Sequence, residues 1–273
     1  MIQFASQAEG LILHAPLGIG FWDPVTDALV DQGLRVRLRP RHATEPKFTS
    51  NLSSRGIHVF HNLPGLVAQV LGRDLENSAP APAPRRFTFE VTDGSNRYLP
   101  FSFDADCPVS GLFVPECLPH SSPPLTKYVS VFSAVTRAVP SGMATVRAEL
   151  RNANTGLPAA WALVSAEYRG VEIGQGVADA NGKLVLIFSY PEPEAQSPPS
   201  GFPWRWPVRL QTAYAALPSA TSHPSLCEVL GQPPARLLVE GSPRIELDEL
   251  QLEFGKELSV TSGSVSHILI EPA

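Results

Sequence analysis

The chain has 273 residues with a hydrophobic fraction of 43% and a charged fraction of 17%, which is enough for two ordinary domains or one large one. Its net charge of -5 is the wrong sign for neutralising nucleic-acid phosphates, and no apolar run reaches the roughly 18 residues of a membrane span. The 28 prolines are spread along the chain, so long helices should be scarce and we expect an all-β protein. From the net charge we expect no nucleic-acid partner.

Strands are predicted wherever apolar and polar residues alternate, because alternate side chains of a strand point to opposite faces. The clearest case is 142–151, where Ala144, Val146, Ala148 and Leu150 alternate with polar residues. The stretch 183–190 is apolar at nearly every position, as in a strand that is covered on both faces. Further strands are predicted at 34–38, 57–60, 87–91, 162–168, 208–214 and 250–254.

Helical patterns are few. Residues 62–75 and 225–231 are each long enough for a short helix, and Ser225 is a suitable N-cap for the second. Both stretches are equally compatible with irregular structure. The remaining pattern, many short strands separated by Gly, Pro, Asn and Asp clusters, is typical of β-sandwiches.

Two proline-rich stretches divide the chain. Residues 79–84 (APAPAP) form a stiff, extended linker, which predicts a first module over 1–84 and a second over 85–273. Residues 191–207 are too rich in proline for a core element, so we expect an exposed loop of the second module there.

The same order of turns and strands occurs in both halves of the chain. In the second half, Asn154-Thr155-Gly156-Leu157-Pro158-Ala159 precedes one strand and Asp179-Ala180-Asn181-Gly182-Lys183 precedes the next. These turns resemble those of the carboxypeptidase regulatory-like and transthyretin-like sandwich family. The resemblance implies immunoglobulin-like or transthyretin-like β-sandwich modules that bind or space other domains and carry no catalytic residue.

A second resemblance covers the whole chain more loosely. It is carried by segments 16–23, 59–65, 87–100 and 253–258. These segments resemble proteins of phage-tail-like contractile injection systems. The resemblance implies a structural component of such a particle, with other protein subunits as its partners.

Catalytic and metal-binding patterns are missing from the sequence. A strand would place His58 and His61 on opposite faces, and no H-E-x-x-H spacing, nucleophile elbow or phosphate-binding loop occurs. Asp104 and Asp106 fit an acidic strand edge better than an acid pair. We therefore expect no enzyme, no catalytic residue, no cofactor, no metal and no small-molecule substrate.

The three cysteines, Cys107, Cys117 and Cys227, show no C-x-x-C spacing, and the N-terminus lacks the basic region of a signal peptide. We therefore expect reduced thiols in a cytoplasmic protein, assembled into a particle that can be released from the cell. If a disulfide forms, Cys107 and Cys117 are the pair that a turn would bring together.

Two groups of residues are candidate partner-binding sites. Phe202, Trp204 and Trp206 lie in a stretch restricted by prolines, either as anchors for a partner or as a plug on their own core. Arg35, Arg37 and Arg39 line one face of a predicted strand, either as a solvated face or as a docking stripe for an acidic partner.

The sequence therefore predicts a non-catalytic baseplate, cap or adaptor subunit of a contractile particle. The alternative is a free-standing module that binds carbohydrate or peptide through its loops. Co-sedimentation with a large particle would favour the first function, and a monomer with ligand affinity the second.

Overall fold

The structure is a computed structural model, and it describes residues 17–40, 48–61, 63, 85–107, 111–112, 117, 128–193, 203–217, 223–263 and 265–272. These residues form twenty strands and one short helix, so the predicted all-β class is confirmed. In the part of the chain that the structure describes, no helix is long and apolar enough to cross a membrane.

The first module is a sandwich of two sheets. One sheet has the order β10-β1-β6-β5, with β2 and β9 also paired to β1, and the other has the order β4-β3-β7-β8. Its ten strands are β1 (Leu17–Asp23), β2 (Ala28–Leu29), β3 (Leu34–Pro40), β4 (Phe48–Thr49), β5 (Asn51–Leu52), β6 (Ile57–Phe60), β7 (Arg85–Asp93), β8 (Phe101–Cys107), β9 (Gly111–Leu112) and β10 (Val129–Ser130).

Phenylalanine side chains hold these two sheets together. Phe60 of β6 meets Phe89 of β7 edge to face at 5.6 Å between ring centroids, and Phe21 of β1 meets Phe101 of β8 at 6.2 Å. Phe89 also stacks at 5.0 Å on Phe103, its direct partner in the neighbouring strand. Aromatic pairs in these arrangements add to the stabilisation that their burial provides.

The second module is built from one ten-stranded sheet, in the order β13-β12-β15-β16-β20-β11-β14 with β17, β18 and β19 paired at its margins. Its strands are β11 (Met143–Asn152), β12 (Leu163–Tyr168), β13 (Val171–Val177), β14 (Lys183–Ser189), β15 (Arg205–Ala213), β16 (Pro234–Val239), β17 (Ile245–Glu246), β18 (Leu250–Glu253), β19 (Leu258–Val260) and β20 (His267–Pro272).

This sheet curls around its core until its two end strands meet. A Cβ added at Gly174 of β13 would lie 2.7 Å from the ring of Phe188 on β14, and one at Gly176 would lie 2.7 Å from the Leu186 side chain. Glycine is required at both positions because a larger side chain would force the end strands apart. The enclosed core explains why β14 is apolar along most of its length.

The boundary between the modules differs from the predicted one at residue 84. Strand β7, which follows residue 84, pairs with β3 over seven positions, and the first core contains residues up to Ala134 together with Val177, Leu226 and Val229. The second core begins at Ala144. The boundary therefore falls between Ala134 and Ala144, because cross-strand pairing joins segments that the proline-rich stretch separates in sequence.

The predicted proline-rich loop is shorter than expected. The residues of β15 from Arg205 onward are strand, and Pro207 lies opposite Gln251 of β18. Within the described residues, this half of β15 is paired on one side only, where a missing N–H is tolerated. Residues 194–202, the linker 79–84 and most of the predicted helix 62–75 lie outside the described residues.

The predicted short helix after Ser225 is present as α1 (Leu226–Leu230). The Ser225 hydroxyl accepts a hydrogen bond from the backbone N–H of Glu228 at 3.4 Å, as an N-cap does. Its apolar residues Leu226 and Val229 are buried, and both belong to the core of the first module.

The expectation of reduced thiols is wrong for two of the three cysteines. Cys117 and Cys227 form a disulfide across 110 residues of sequence. Sequence spacing favoured Cys107 with Cys117 instead, because spacing reveals only pairs that a local turn can bring together. The observed pair depends on how α1 packs on the first module.

Candidate partner-binding surface

Four aromatic side chains meet at one end of the second module. They come from three elements: Tyr190 follows β14, Trp204 and Trp206 stand at the start of β15, and Phe254 follows β18. The ring centroid of Tyr190 lies 4.9 Å from Phe254 and 5.3 Å from Trp206. We call these four residues the aromatic end.

Backbone contacts fix the aromatic end. The N–H of Phe254 donates to the carbonyl of Trp204 at 2.9 Å, which continues the pairing of β15 with β18. The N–H of Gly255 donates to the Tyr190 hydroxyl, also at 2.9 Å. Gly255 has a positive φ of 75°, so glycine lets the chain turn away immediately after Phe254.

The residues of the aromatic end differ in how much of each side chain is exposed. Trp206 is only 2% exposed and packs in the core of its own module, whereas Phe254 is 53% exposed. Trp204 is partly buried and its ring lies 6.4 Å from that of Trp206. For Trp206 the structure thus favours the plug over the anchor, while partner binding by Trp204 stays a prediction; Phe202 lies outside the described residues.

Phe254 is the residue of this surface that the sequence analysis missed. The alternation of Leu250, Leu252 and Phe254 predicted three inward-facing side chains, but β18 ends at Glu253. The following Gly255 was the available sign, because a glycine with positive φ ends a strand and turns the residue before it out of the pleat.

A groove lies beside the aromatic end, between the hairpin of β12 and β13 and residues 191–193. Its volume is about 550 Å³. Val171, 64% exposed, stands at its rim, and the guanidinium of Arg169 lies 5.0 Å from the ring centroid of Tyr168. The groove is lined by Tyr168, Arg169, Val171, Ile173, Pro191, Glu192 and Pro193.

The two ends of β13 have different surroundings. Val177, at the far end of β13, packs in the core of the first module, while Val171 begins the strand at the groove. Six residue steps of a strand separate them by about 20 Å. Among the described residues, the groove end of β13 therefore lies about 20 Å from the contact that Val177 makes with the first module.

The predicted arginine stripe lies on the outer face of the β4-β3-β7-β8 sheet. Arg35 and Arg37 are exposed, and Arg39 forms an ion pair with Glu90 of β7 at 2.9 Å. Glu90 is also the cross-strand partner of Arg37. An acidic residue thus lies among the arginines, which is typical of a solvent-exposed face that carries both charges. Docking of an acidic partner on this face stays a prediction.

A buried polar cluster joins the first module to the chain segment that leaves it. The carboxylate of Asp23 accepts two hydrogen bonds from the Arg137 guanidinium, at 2.9 and 2.6 Å, and one from the Tyr98 hydroxyl at 3.0 Å. The Thr26 hydroxyl and the Val25 N–H also donate to this carboxylate. With five donors the carboxylate is saturated, so the cluster fits a structural ion pair better than a catalytic one.

The protonation of this cluster follows from its surroundings. Burial alone would raise the pKa of Asp23, but the hydrogen bonds from Arg137 and Thr26 and the charge of Arg137 outweigh it and lower this pKa below its usual value. Burial, together with the negative charge of Asp23, raises the pKa of Tyr98 to about 12. The cluster therefore holds an ionised Asp23 and a neutral Tyr98 at neutral pH.

The two histidines closest in sequence, His58 and His61, have different surroundings. His58 is buried against the ring of Phe21, and its Nδ1 lies 2.9 Å from the Ser50 hydroxyl, while His61 is exposed. Over the residues whose placement is described, no three histidine, cysteine or acidic side chains are grouped so that they could hold a metal ion.

The chain shows no sequence match to known proteins and only low similarity to solved structures. No protein-family model and no curated protein matches the sequence. Among solved structures, the Bacillus anthracis TIE protein is 10% identical with a TM-score of 0.25, over 95% of this chain and 34% of that one. The Streptococcal ancillary pilin is 9% identical with a TM-score of 0.25, over 96% and 63%.

The shaft pilin SpaA from Lactobacillus rhamnosus GG is 8% identical with a TM-score of 0.23, over 96% of this chain and 98% of that one. The present chain thus spans about a third of the first protein and less than two thirds of the second. Similarity this low supports no inference about function.

Proposed function

We propose that the protein is a non-catalytic structural component that assembles with other protein subunits through the aromatic end of its second module. The observation that carries this proposal is Phe254, a large apolar side chain that is more than half exposed on a fixed aromatic support. Aromatic residues, phenylalanine among them, are enriched in the cores of protein interfaces.

The rigidity of the support favours tight binding. Trp206 is held in the core beneath Phe254, and Tyr190 is held by its hydrogen bond from Gly255. Burial of Phe254 and the exposed part of Trp204 against a partner would thus order few additional side chains. The entropic cost of association is correspondingly small.

The particular assembly is proposed from sequence resemblance. Segments of the chain resemble proteins of phage-tail-like contractile injection systems, which makes a baseplate, cap or adaptor subunit the specific proposal. Two modules with separate cores, and an exposed apolar side chain on the second, suit a subunit that spaces and joins its neighbours.

The groove beside the aromatic end favours a second candidate, a module that binds carbohydrate or peptide. Its volume of about 550 Å³ is in the range of ligand sites, and Tyr168 and Val171 provide apolar contacts. The exposed Glu192 and the nearby Arg169 provide charged groups. A ligand that fills this groove would contact residues that differ from those of the aromatic end.

The disulfide indicates the kind of compartment in which the protein functions. Cys117 and Cys227 are paired, and such bonds persist mainly where the surroundings are oxidising. We therefore propose that the protein functions outside the reducing cytoplasm, as a released particle or a cell-surface assembly would require.

Sedimentation of the protein with its native assembly tests the proposed function. Phe254→Ala combined with Trp204→Ala should leave the isolated protein folded and weaken association by at least about 2 kcal/mol, roughly thirtyfold, as interface aromatics do. Leu157, 64% exposed in the turn at the opposite end of the module, provides the control Leu157→Ala, which should associate normally.

Two outcomes would count against the assembly. If the double variant co-sediments as well as the control variant does, the aromatic end is not the contact surface. If the unaltered protein remains monomeric in every fraction and binds a glycan or peptide array, and Val171→Asp abolishes that binding, the second candidate is correct.

A further inference from the structure

The helix α1 belongs to one module by its connections and to the other by its packing. It lies between β15 and β16, which are both strands of the second module. Its residues Leu226 and Val229 are nevertheless buried in the core of the first module. We call residues 223–230, which cross from one module to the other, the strap.

The backbone of the strap is attached to the edge of a first-module sheet. Strand β8 is the last strand of the β4-β3-β7-β8 sheet. The N–H of Ser102 on β8 donates to the carbonyl of Pro224 at 2.8 Å, and the Ser102 hydroxyl donates to the carbonyl of His223 at 3.1 Å. The strap thus covers part of an edge that would otherwise expose unpaired backbone groups.

The apolar side of the strap closes the seam between the modules. Val177 and Trp161 of the second module approach the same seam. The remaining void is about 10 Å³, so the seam is closely packed. The seam is lined by Leu99, Pro100, Phe101, Phe132, Trp161, Val177, Pro224, Leu226 and Val229.

The disulfide is the covalent attachment of the strap. Cys227 lies in α1, and Cys117 precedes the last strand of the first module. We infer that the Cys117–Cys227 bond is a redox clamp, which holds the two modules in one orientation while intact and, on reduction, lets the strap detach while both cores stay folded.

The strap should open before either core does. A helix of five residues is far too short to be stable by itself, so it depends on its attachments. Leu226 and Val229 are the two strap residues of the first core, whose other members lie mainly on the sheets of that module, and the second core contains no strap residue. Local opening therefore requires much less free energy than unfolding of a module.

Reduction requires an external dithiol. The dithiol supplies two electrons and two protons, the sulfur–sulfur bond breaks, and Cys117 and Cys227 become free thiols. The dithiol itself is oxidised to a disulfide. The clamp is thus sensitive to passage between an oxidising and a reducing compartment.

Hydrogen exchange on the full chain, before and after dithiothreitol under native conditions, tests the inference. The reporting amides are Ser102, which donates to the strap, and Val229 and Gly231, which donate to the carbonyls of Ser225 and Cys227. Reduction should accelerate their exchange by at least about tenfold, while amides of β11 and β14 keep their protection. Cys117→Ser with Cys227→Ser should exchange like the reduced protein and show no further response to dithiothreitol.

Three results would overturn the inference. Labelling could find three free thiols in the untreated, oxidised protein. Exchange at Ser102 could be unchanged after reduction. Amides of β11 and β14 could accelerate together with Ser102, which would make the bond a stabiliser of the whole fold and not a clamp. Reduction of the folded, unaltered protein serves as the test if the double variant does not fold.

Discussion

The stability of the first module should depend on pH through one buried histidine. His58 is 3% exposed in β6, where its ring contacts Phe21 and its Nδ1 lies 2.9 Å from the Ser50 hydroxyl. Burial disfavours the charged imidazolium and lowers the pKa of His58 from 6.5 to about 4. The unfolded chain therefore binds a proton at a higher pH than the folded protein does.

The sign and size of the effect follow from this difference. Between pH 6.5 and pH 4 the unfolded state is protonated at His58 and the folded state is not, so the free energy of unfolding falls as pH falls. From pH 7 to pH 5 the loss amounts to about 2 kcal/mol, and over the full interval it reaches about 3 kcal/mol. Above pH 7 this contribution to stability is fully present.

Urea unfolding of the protein and of two variants, at half-unit steps from pH 7 to pH 5, measures this contribution. His58→Gln retains a group that can bond to Ser50 but cannot titrate, so its stability should vary with pH by about 2 kcal/mol less than that of the unaltered protein. His61→Gln, at an exposed neighbouring position, is the matched control and should keep the original slope. Equal slopes for His58→Gln and the unaltered protein would refute the reasoning, as would an NMR titration of folded His58 near 6.5.

Three further predictions concern stability. Asp23→Asn leaves the buried Arg137 guanidinium without its carboxylate and should cost about 3–5 kcal/mol in urea unfolding, far more than a surface substitution. Gly174→Ala brings a Cβ against the ring of Phe188 and should cost about 1–3 kcal/mol, visible as a lower Tm; an unchanged Tm would mean that β13 and β14 do not meet. Reducing the disulfide should leave the β-sheet signal in circular dichroism unchanged under native conditions, because β11 and β14 pair with each other and not with the strap; loss of that signal would contradict this.

Local sequence pattern was sufficient to predict several strands and the short helix. The alternation over 34–38 and 142–151 and the apolar run at 183–190 predicted β3, β11 and β14, because side-chain period alone decides which face of a strand is buried. Ser225 before an apolar pair likewise predicted α1, because capping is a contact over three residues.

The candidate surface was predicted in part. Residue type and flanking prolines identified Trp204 and Trp206 as candidate partner-binding residues. Their positions in the sequence did not predict which of the two side chains is buried. Trp206 is covered because it packs in the core of the second module, and Phe254 is exposed because the chain turns at Gly255. Exposure depends on contacts between segments about fifty residues apart, which local periodicity does not encode.

The sequence by itself therefore determined the β class, most strands and the capped helix, all of which depend on neighbours within a few residues. Tertiary structure decided the module boundary, which moved from residue 84 to between Ala134 and Ala144 because β7 pairs back onto β3. It also decided the partner of Cys117, because only the packing of Leu226 and Val229 on the first core brings Cys227 within bonding distance. Contacts between distant segments depend on the summed burial of both modules, and no single stretch of the chain carries that information.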